Sequence, residues 1–281
     1  MLTAEMTALT DPSRTNHATR LAEVQARIEK AAVQAGRPVT DVQLLAVSKT
    51  FPLSAVDAVA ACGQKAFGEN YAQEGVEKAA ARPQLTWHFI GPIQSNKTRG
   101  IAEHFAWVHT IDRLKIAERL SAQRPATLPP LQVCVQVNIS GEASKSGCPP
   151  QDTLALAQAV AALPNLQLRG LMAIPEATDD TSLQHRHFAA LRDLQATLNQ
   201  QGLCLDTLSM GMSDDLEAAI SEGATLVRVG RYCRTTVACW CLTIFLKSCP
   251  PNVRKRGARW RVDSRMKLKT HSRPFSCLLS V

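Results

Sequence analysis

No Cys-x-x-Cys pair occurs in this sequence, although it holds 9 cysteines. Structural zinc sites and thioredoxin-type redox motifs use that spacing, so both are poorly supported. The odd count, in a chain with no secretion signal, predicts free thiols. No stretch reaches the ~18 consecutive apolar residues of a membrane-spanning helix. The opening "MLTAEMTALTDPSRTNH" lacks a charged region followed by an apolar core, so it does not read as a signal peptide. The expectation is a cytoplasmic protein with no membrane partner. There is no Gly-x-Gly-x-x-Gly after the first strand-like run, which argues against a doubly wound dinucleotide-binding sheet. No internal repeat is visible.

Acidic residues are scarce at one end only. Residues 231–281 hold 12 Lys and Arg against one acid, Asp263, for a net +11. The remaining residues hold 20 basic and 23 acidic side chains, for a net −3. The overall +8 therefore belongs to the tail, and the body carries no general nucleic-acid footprint. Five of the cysteines crowd the same tail, from Cys233 to Cys277. The chain divides on these grounds into a body, 1–230, and an atypical basic, cysteine-rich tail, 231–281. "VACWCLTIFL" within the tail is too short to span a bilayer.

The body alternates in pattern. A helical stretch runs from about Asn16 to Ala35, with Leu21, Val24, Ile28, Ala31 and Ala32 at spacings of three and four. Strand-like runs follow at Val42–Ser48, Lys65–Gly68, Thr86–Ile90, Trp107–Ile111, Leu131–Ile139, Leu166–Ile174, Cys204–Ser209 and Thr225–Val229. Helical patterns separate them: Leu53–Cys62, Tyr71–Ala81, a weaker Ser95–Glu103, Asp112–Gln123, Gln151–Leu163, Thr181–Gln201 and Ser213–Ser221. Eight strands with helices between them predict an α/β fold, a closed (β/α)8 barrel of the TIM type with an extra N-terminal helix. The fifth run, "LQVCVQVNIS", supports closure. Leu131, Val133, Val135, Val137 and Ile139 suit the layer under the helices, and Gln132, Cys134, Gln136 and Asn138 suit the interior.

Barrels do chemistry at the C-terminal ends of their strands. Strand one delivers Lys49 in "LLAVSKTFP", on the same face as Leu45 and Val47. Partial burial would lower the lysine pKa and free a neutral amine for attack on an aldehyde. A lysine that simply reaches solvent from the strand end is the alternative. Strand two delivers Glu69 and Asn70, strand three a Gly91–Pro92 turn, and strand five Asn138 followed by Lys145. After strands seven and eight, "LSMGMSDD" and "LVRVG" supply Ser209, Gly211, Arg228 and Gly230. Phosphate commonly binds at those two turns. Ser213 is the expected N-cap of the following helix, and Asp214 and Asp215 are expected to face away from an anion. A lysine opposite a phosphate cradle, with Arg228 between, suits pyridoxal 5'-phosphate (PLP). A fixed cation beside the pyridine nitrogen weakens the ring as an electron sink. His185 and His187 lie two apart on a helix and are not a metal pair, so no metal is expected. His88 reads as a satisfied core or ligand-edge residue, and Lys97 and Arg99 as surface charges.

"LLAVSKTFP", "FGENYAQEG", "WHFIGPIQSNK", "HTID", "VNISGEASKSG", "LRGLMAIP" and "LSMGMSDDLEAAISEGATLVRVG" occur in order between about residues 42 and 230. Together they resemble the pyridoxal phosphate homeostasis protein family, the YggS/PROSC type, which is related to the N-terminal barrel of alanine racemase. The resemblance implies a Schiff base between PLP and Lys49, a phosphate site at Ser209 and Gly230, and Arg228 at the ring nitrogen. It implies a role in vitamin B6 homeostasis without established catalysis, in a monomer or weak dimer. PLP-dependent apoenzymes are the protein partners in that picture. After Gly230 the text departs from the family, which reads as a frame change in the coding sequence or a fused tail. Two other classes stay open: a PLP-dependent racemase and a Schiff-base aldolase without PLP. A racemase needs a second base on the opposite ring face, and the chain has only Tyr71 and Tyr232 as tyrosines. An aldolase needs a proton-shuttling group beside Lys49, for which Glu69 is the nearest candidate.

Overall fold

The computed structural model describes residues 12–142 and 146–230. A long helix α1 (Pro12–Gln34) precedes the first strand. Then come β1 (Gln43–Val47), α2 (Leu53–Ala60), β2 (Ala66–Glu69), α3 (Ala72–Ala81), β3 (Thr86–Phe89), α4 (Thr98–His104) and β4 (Trp107–Ile111). The second half runs α5 (Leu114–Gln123), β5 (Leu131–Gln136), α6 (Thr153–Ala161), β6 (Leu166–Met172), α7 (Thr181–Gln200), β7 (Thr207–Ser209), α8 (Leu216–Ser221) and β8 (Leu226–Val229). The strands pair in sequence order and close, β8 returning to β1 with Leu45 opposite Arg228 and Ala46 opposite Val229. Every pairing is parallel, for example Phe67 opposite Trp87. Parallel neighbours need a crossover, and the intervening helices provide it.

Side-chain alternation sorts the strands into two faces. Val133, Val135, Phe67, Trp87 and Phe89 join the apolar faces of the helices in one large buried cluster outside the sheet. A small second cluster, Leu45, Val47, Ala66, Ile90 and Leu226, lies inside the barrel. Burying side chains as large as Trp87 and Phe89 contributes about 1.5–3 kcal/mol each. The interior also holds polar groups: His88, His109, Gln136, Ser209 and Arg228 are all buried. Cys134 is buried there too, and burial pushes its thiol pKa up to about 12, so it is inert. Irregularities in pairing fall between Val108 and Ile111 and between Val133 and Cys134.

The expected barrel and extra helix are present, and most element ends fall inside the predicted runs. β5 stops at Gln136 rather than Ile139, because the next segment pairs with its own loop: Cys148 N–H donates to the Gln136 carbonyl and Asn138 N–H to the Cys148 carbonyl. The last helix begins at Leu216, not Ser213. Residues 213–215 form a turn, in which Asp215 accepts from the Met212 amide. The basic tail, 231–281, lies outside the described residues, as does Lys145.

Candidate functional site

Lys49 follows β1 at the mouth of the barrel. Its strand face carries Leu45 and Val47, both in the interior cluster, so the side chain starts from an apolar wall. The residue is exposed, yet desolvation by the surrounding rim lowers its pKa, with Glu69 pulling weakly the other way. Lys49 makes no hydrogen bond or ion pair among the described residues. An accessible amine with a depressed pKa is a competent nucleophile.

Glu69 does not stand beside that amine as a proton shuttle. It shares its strand face with Phe67 and therefore points outward, under α3. It is fully buried, where Ser48 Oγ donates to Glu69 Oε1 at 2.7 Å and Lys78 Nζ at 2.8 Å. Burial raises its pKa against the pull of Lys78 and Ser48. Lys78 and Glu74 were not legible as site residues. They sit at i,i+4 on a helix, a spacing that ordinarily marks a surface pair.

Two amides line the rim. Asn70 follows β2, and its Oδ1 is buried without a partner. Gly91, after β3, permits this arrangement: a Cβ there would lie 2.0 Å from the Asn70 carbonyl oxygen. Asn138 follows β5. Its Nδ2 donates to the Glu142 carbonyl at 2.8 Å, and its Oδ1 is likewise buried and unpartnered. Buried polar atoms are rarely left unpaired, so orphan acceptors at a barrel mouth point to a ligand or bound water.

From β8, the neighbour of β1, a polar chain runs through the interior to β3. Arg228 is buried and donates through Nη1 to the carbonyl and hydroxyl of Ser209, and through Nη2 to the Ala173 carbonyl at 2.9 Å. Desolvation pulls its pKa down to about 10, opposed by Asp215 and Cys134, and it stays charged near neutrality. Ser209 Oγ also lies 2.8 Å from His109 Nδ1, and His109 Nε2 lies 2.9 Å from His88 Nδ1. His88 stacks on Trp107 with ring centroids 5.4 Å apart. This revises the sequence reading of Ser209. Its hydroxyl faces the interior, fully buried and engaged by Arg228 and His109, rather than the opening. Gly211 also has an internal reason: its φ is +92°, and a Cβ would meet Ala219 Cβ at 2.6 Å. At Gly230 a Cβ would meet Val47 at 3.7 Å, an ordinary van der Waals contact, so among the described residues nothing there forbids a side chain. Asp214 is exposed as expected, but Asp215 is half-buried and adds its charge to the field at Arg228. His109 escaped notice because only the third dimension joins "HTID" to "LSMG".

Other candidates fall away. His185 on α7 lies 2.7 Å from Glu222, the residue after α8, so it ties α7 to the end of α8 rather than facing solvent alone. Arg99 sits 3.9 Å from Glu103 on the surface. Among the described residues no group of three or more His, Cys, Asp or Glu side chains could hold a metal. A cavity of about 420 Å³ opens beside the strand starts, at the opposite end of the barrel. Its Arg169 forks onto Asp206 and lies 5.3 Å from the centre of the Trp107 ring, so its charges are already matched. That face of a barrel serves stability. No helix among the described residues is long and apolar enough to cross a membrane.

The family model for the alanine racemase N-terminal domain matches residues 19–233. The pyridoxal phosphate homeostasis protein of Pseudomonas aeruginosa is 66% identical over 215 residues, 76% of this chain and 92% of that protein. The protein of that name from Escherichia coli (strain K12) is 52% identical over 215 residues, 75% of this chain and 92% of its own. The solved structure of PipY from Synechococcus elongatus PCC7942 with PLP bound is 37% identical and superposes with a TM-score of 0.66, covering 77% of this chain and 99% of that one. On its sequence and on its barrel alike, this chain belongs to the pyridoxal phosphate homeostasis protein family, built on the alanine racemase N-terminal domain.

Proposed function

We propose that this protein binds PLP on Lys49 and serves intracellular vitamin B6 homeostasis as a carrier in the cytoplasm. One observation carries the reading: a lysine of lowered pKa, unpaired among the described residues, shares a barrel mouth with two orphaned amide oxygens and with Gly230 at the end of β8. These features fit the cofactor's aldehyde, polar ring substituents and phosphate. When bound, PLP supplies an aldehyde that condenses with an amine as one water leaves. Lys49 provides that amine. Asn70 and Asn138 offer amide groups around the ring, and Gly230 lets the backbone approach the anionic end. Arg228 contributes a fixed positive charge to the site. Ser209, Gly211 and Asp215 hold Arg228 and its loop in place. The PLP-bound PipY structure supports this reading.

Catalysis is not part of the proposal. The relatives are named for homeostasis, and the carboxylate nearest Lys49 in sequence, Glu69, is engaged on the outer face of the sheet. PLP-dependent apoenzymes are the proposed recipients, and a monomer or weak dimer the proposed state. Residues 231–281 are proposed to be a segment apart from the barrel of 1–230. The test is PLP titration of the purified full chain, followed by borohydride trapping and peptide mapping. The expected adduct is on Lys49, and Lys49→Ala should abolish it. An adduct on another residue, or none, overturns the reading. Measured racemisation of alanine or carbon–carbon cleavage at enzyme-like rates would overturn its non-catalytic part.

A further inference from the structure

Lys49 sits in a turn that is held from outside the barrel. The Phe51 amide donates to the Ser48 carbonyl at 3.1 Å, which closes a turn with Lys49 and Thr50 at its centre. Thr50 has a φ of 66°, whereas Lys49 does not enter the left-handed region. That is the pattern of a type II turn, whose third position belongs to glycine or asparagine. A β-branched threonine there is strained, and surrounding bonds must hold it.

Three side chains do so. Thr50 N–H donates to Glu74 Oε1 at 2.7 Å. Ser48 Oγ donates to Glu69 Oε1 at 2.7 Å. Lys78 Nζ donates to the Ser48 carbonyl and to Glu69 Oε1, each at 2.8 Å, and to Glu74 Oε1 at 2.7 Å. One buried ammonium thus joins the two carboxylates that grip the residues before and after Lys49. Charge-assisted bonds are strong where water is excluded. Helix α3 reaches this close because Gly75 faces the strand: a Cβ there would lie 2.6 Å from Phe105 Cζ and 3.0 Å from Glu69 Cβ.

We propose, resting on Lys49 as the point of PLP attachment, that Lys78, Glu69 and Glu74 are positioning residues for its amine. They act through the backbone of Ser48 and Thr50, from the outer side of the sheet. They hold a strained turn that keeps the amine within reach of a bound aldehyde. A glycine at position 50 would adopt the same φ without strain, so it would make the turn independent of the clamp.

The test uses the full-length protein and four variants: Glu74→Ala, Glu74→Gln, Thr50→Gly, and Thr50→Gly combined with Glu74→Ala. Glu74 is partly exposed, and Lys78 keeps Glu69 after its removal, so these variants leave no buried charge alone. Three quantities are read: total PLP bound at equilibrium, the fraction of it trapped on Lys49 by borohydride, and the melting temperature without PLP. Glu74→Ala is expected to lower the trapped fraction roughly three- to tenfold, the scale of one lost hydrogen bond. Glu74→Gln, whose amide oxygen still accepts from Thr50, stays near wild type. Thr50→Gly with Glu74→Ala regains the fraction of Thr50→Gly alone. A wild-type trapped fraction in Glu74→Ala overturns the proposal, as does a double variant that recovers nothing. A fall in total binding and melting temperature with the trapped fraction unchanged also overturns it, since that marks a structural role only. If wild-type protein carries no adduct on Lys49, the functional reading fails and this proposal with it. If wild type is labelled on Lys49 and Glu74→Ala matches it, the proposal alone fails.

Discussion

Arg228 and Ser209 are joined twice, once through the Ser209 carbonyl and once through its hydroxyl at 2.8 Å. The same hydroxyl meets His109 at 2.8 Å, so it stands between a buried cation and a buried imidazole. Ser209→Ala would leave both short of a partner at a site without water access. The expected cost is about 1–3 kcal/mol of folding stability. Urea unfolding of the PLP-free protein measures it; an unchanged midpoint would show that the hydroxyl contributes nothing.

The histidine pair makes stability depend on pH. Burial lowers the pKa of His88 to about 3, and His109 also falls well below the ordinary value through burial, with smaller contributions from His88 and Arg228. In the unfolded chain both titrate near 6.5. Below that pH the unfolded chain takes up protons that the fold refuses, so stability falls as pH drops through this range. Each histidine adds a slope of about 1.4 kcal/mol per pH unit once pH is well under 6.5. Glu69 acts in the opposite sense, because its raised pKa lets the folded state take its proton first. Asp215, also raised by burial, acts in the same sense from a lower ordinary value, so the two imidazoles set the slope just under pH 6.5. The urea midpoint is expected to fall between pH 7.5 and pH 5.5, and His88→Gln should remove about half of that dependence. An equal fall in wild type and variant would count against the buried pair as its source.

The lowered pKa of Lys49 has a chemical signature. At a given pH below its titration, a lysine of depressed pKa holds more of its population as neutral amine. In PLP-free protein at pH 8, Lys49 should therefore be acetylated faster than the exposed Lys30 and Lys65. Peptide mapping after brief labelling reads the rates; equal labelling of the three would remove the basis for its nucleophilicity.

Alternation and spacing were enough for the barrel. The row Val133, Val135, Val137 against Cys134 and Gln136 assigns outside and inside by parity, and the structure keeps that assignment. The same parity places Glu69 with Phe67 on the outer face, a point obscured when every residue after a strand is credited to the mouth. The start of α8 was ambiguous for a local reason. Ser213 reads as a cap, but residues 213–215 form a turn in which the Asp215 side chain accepts from the Met212 amide, and the helix starts only after it. His109 and Lys78 were out of reach for another reason. Their partners lie 100 residues away at Ser209 and 30 residues away at Ser48, and no spacing rule spans such distances.

Three glycines separate fold from ligand binding. Gly211→Ala combines a left-handed φ of +92° with a contact of 2.6 Å to Ala219 Cβ, so α8 must move. Its expected cost is about 2–3 kcal/mol or more. Gly223→Ala shares the left-handed backbone, φ +99°, but its nearest neighbour is 3.7 Å away, so strain alone remains and the loss should be smaller. Gly230→Ala has neither problem: its φ lies outside the left-handed region and, among the described residues, only Val47 is near, at 3.7 Å. Its melting temperature without PLP should match wild type. The added methyl instead sits at the β8 end, where the proposed anionic group of PLP approaches the backbone. PLP affinity should then weaken while stability holds, as titration and melting of the same preparation would show. A Gly230→Ala protein that bound PLP as well as wild type would move the phosphate away from the end of β8.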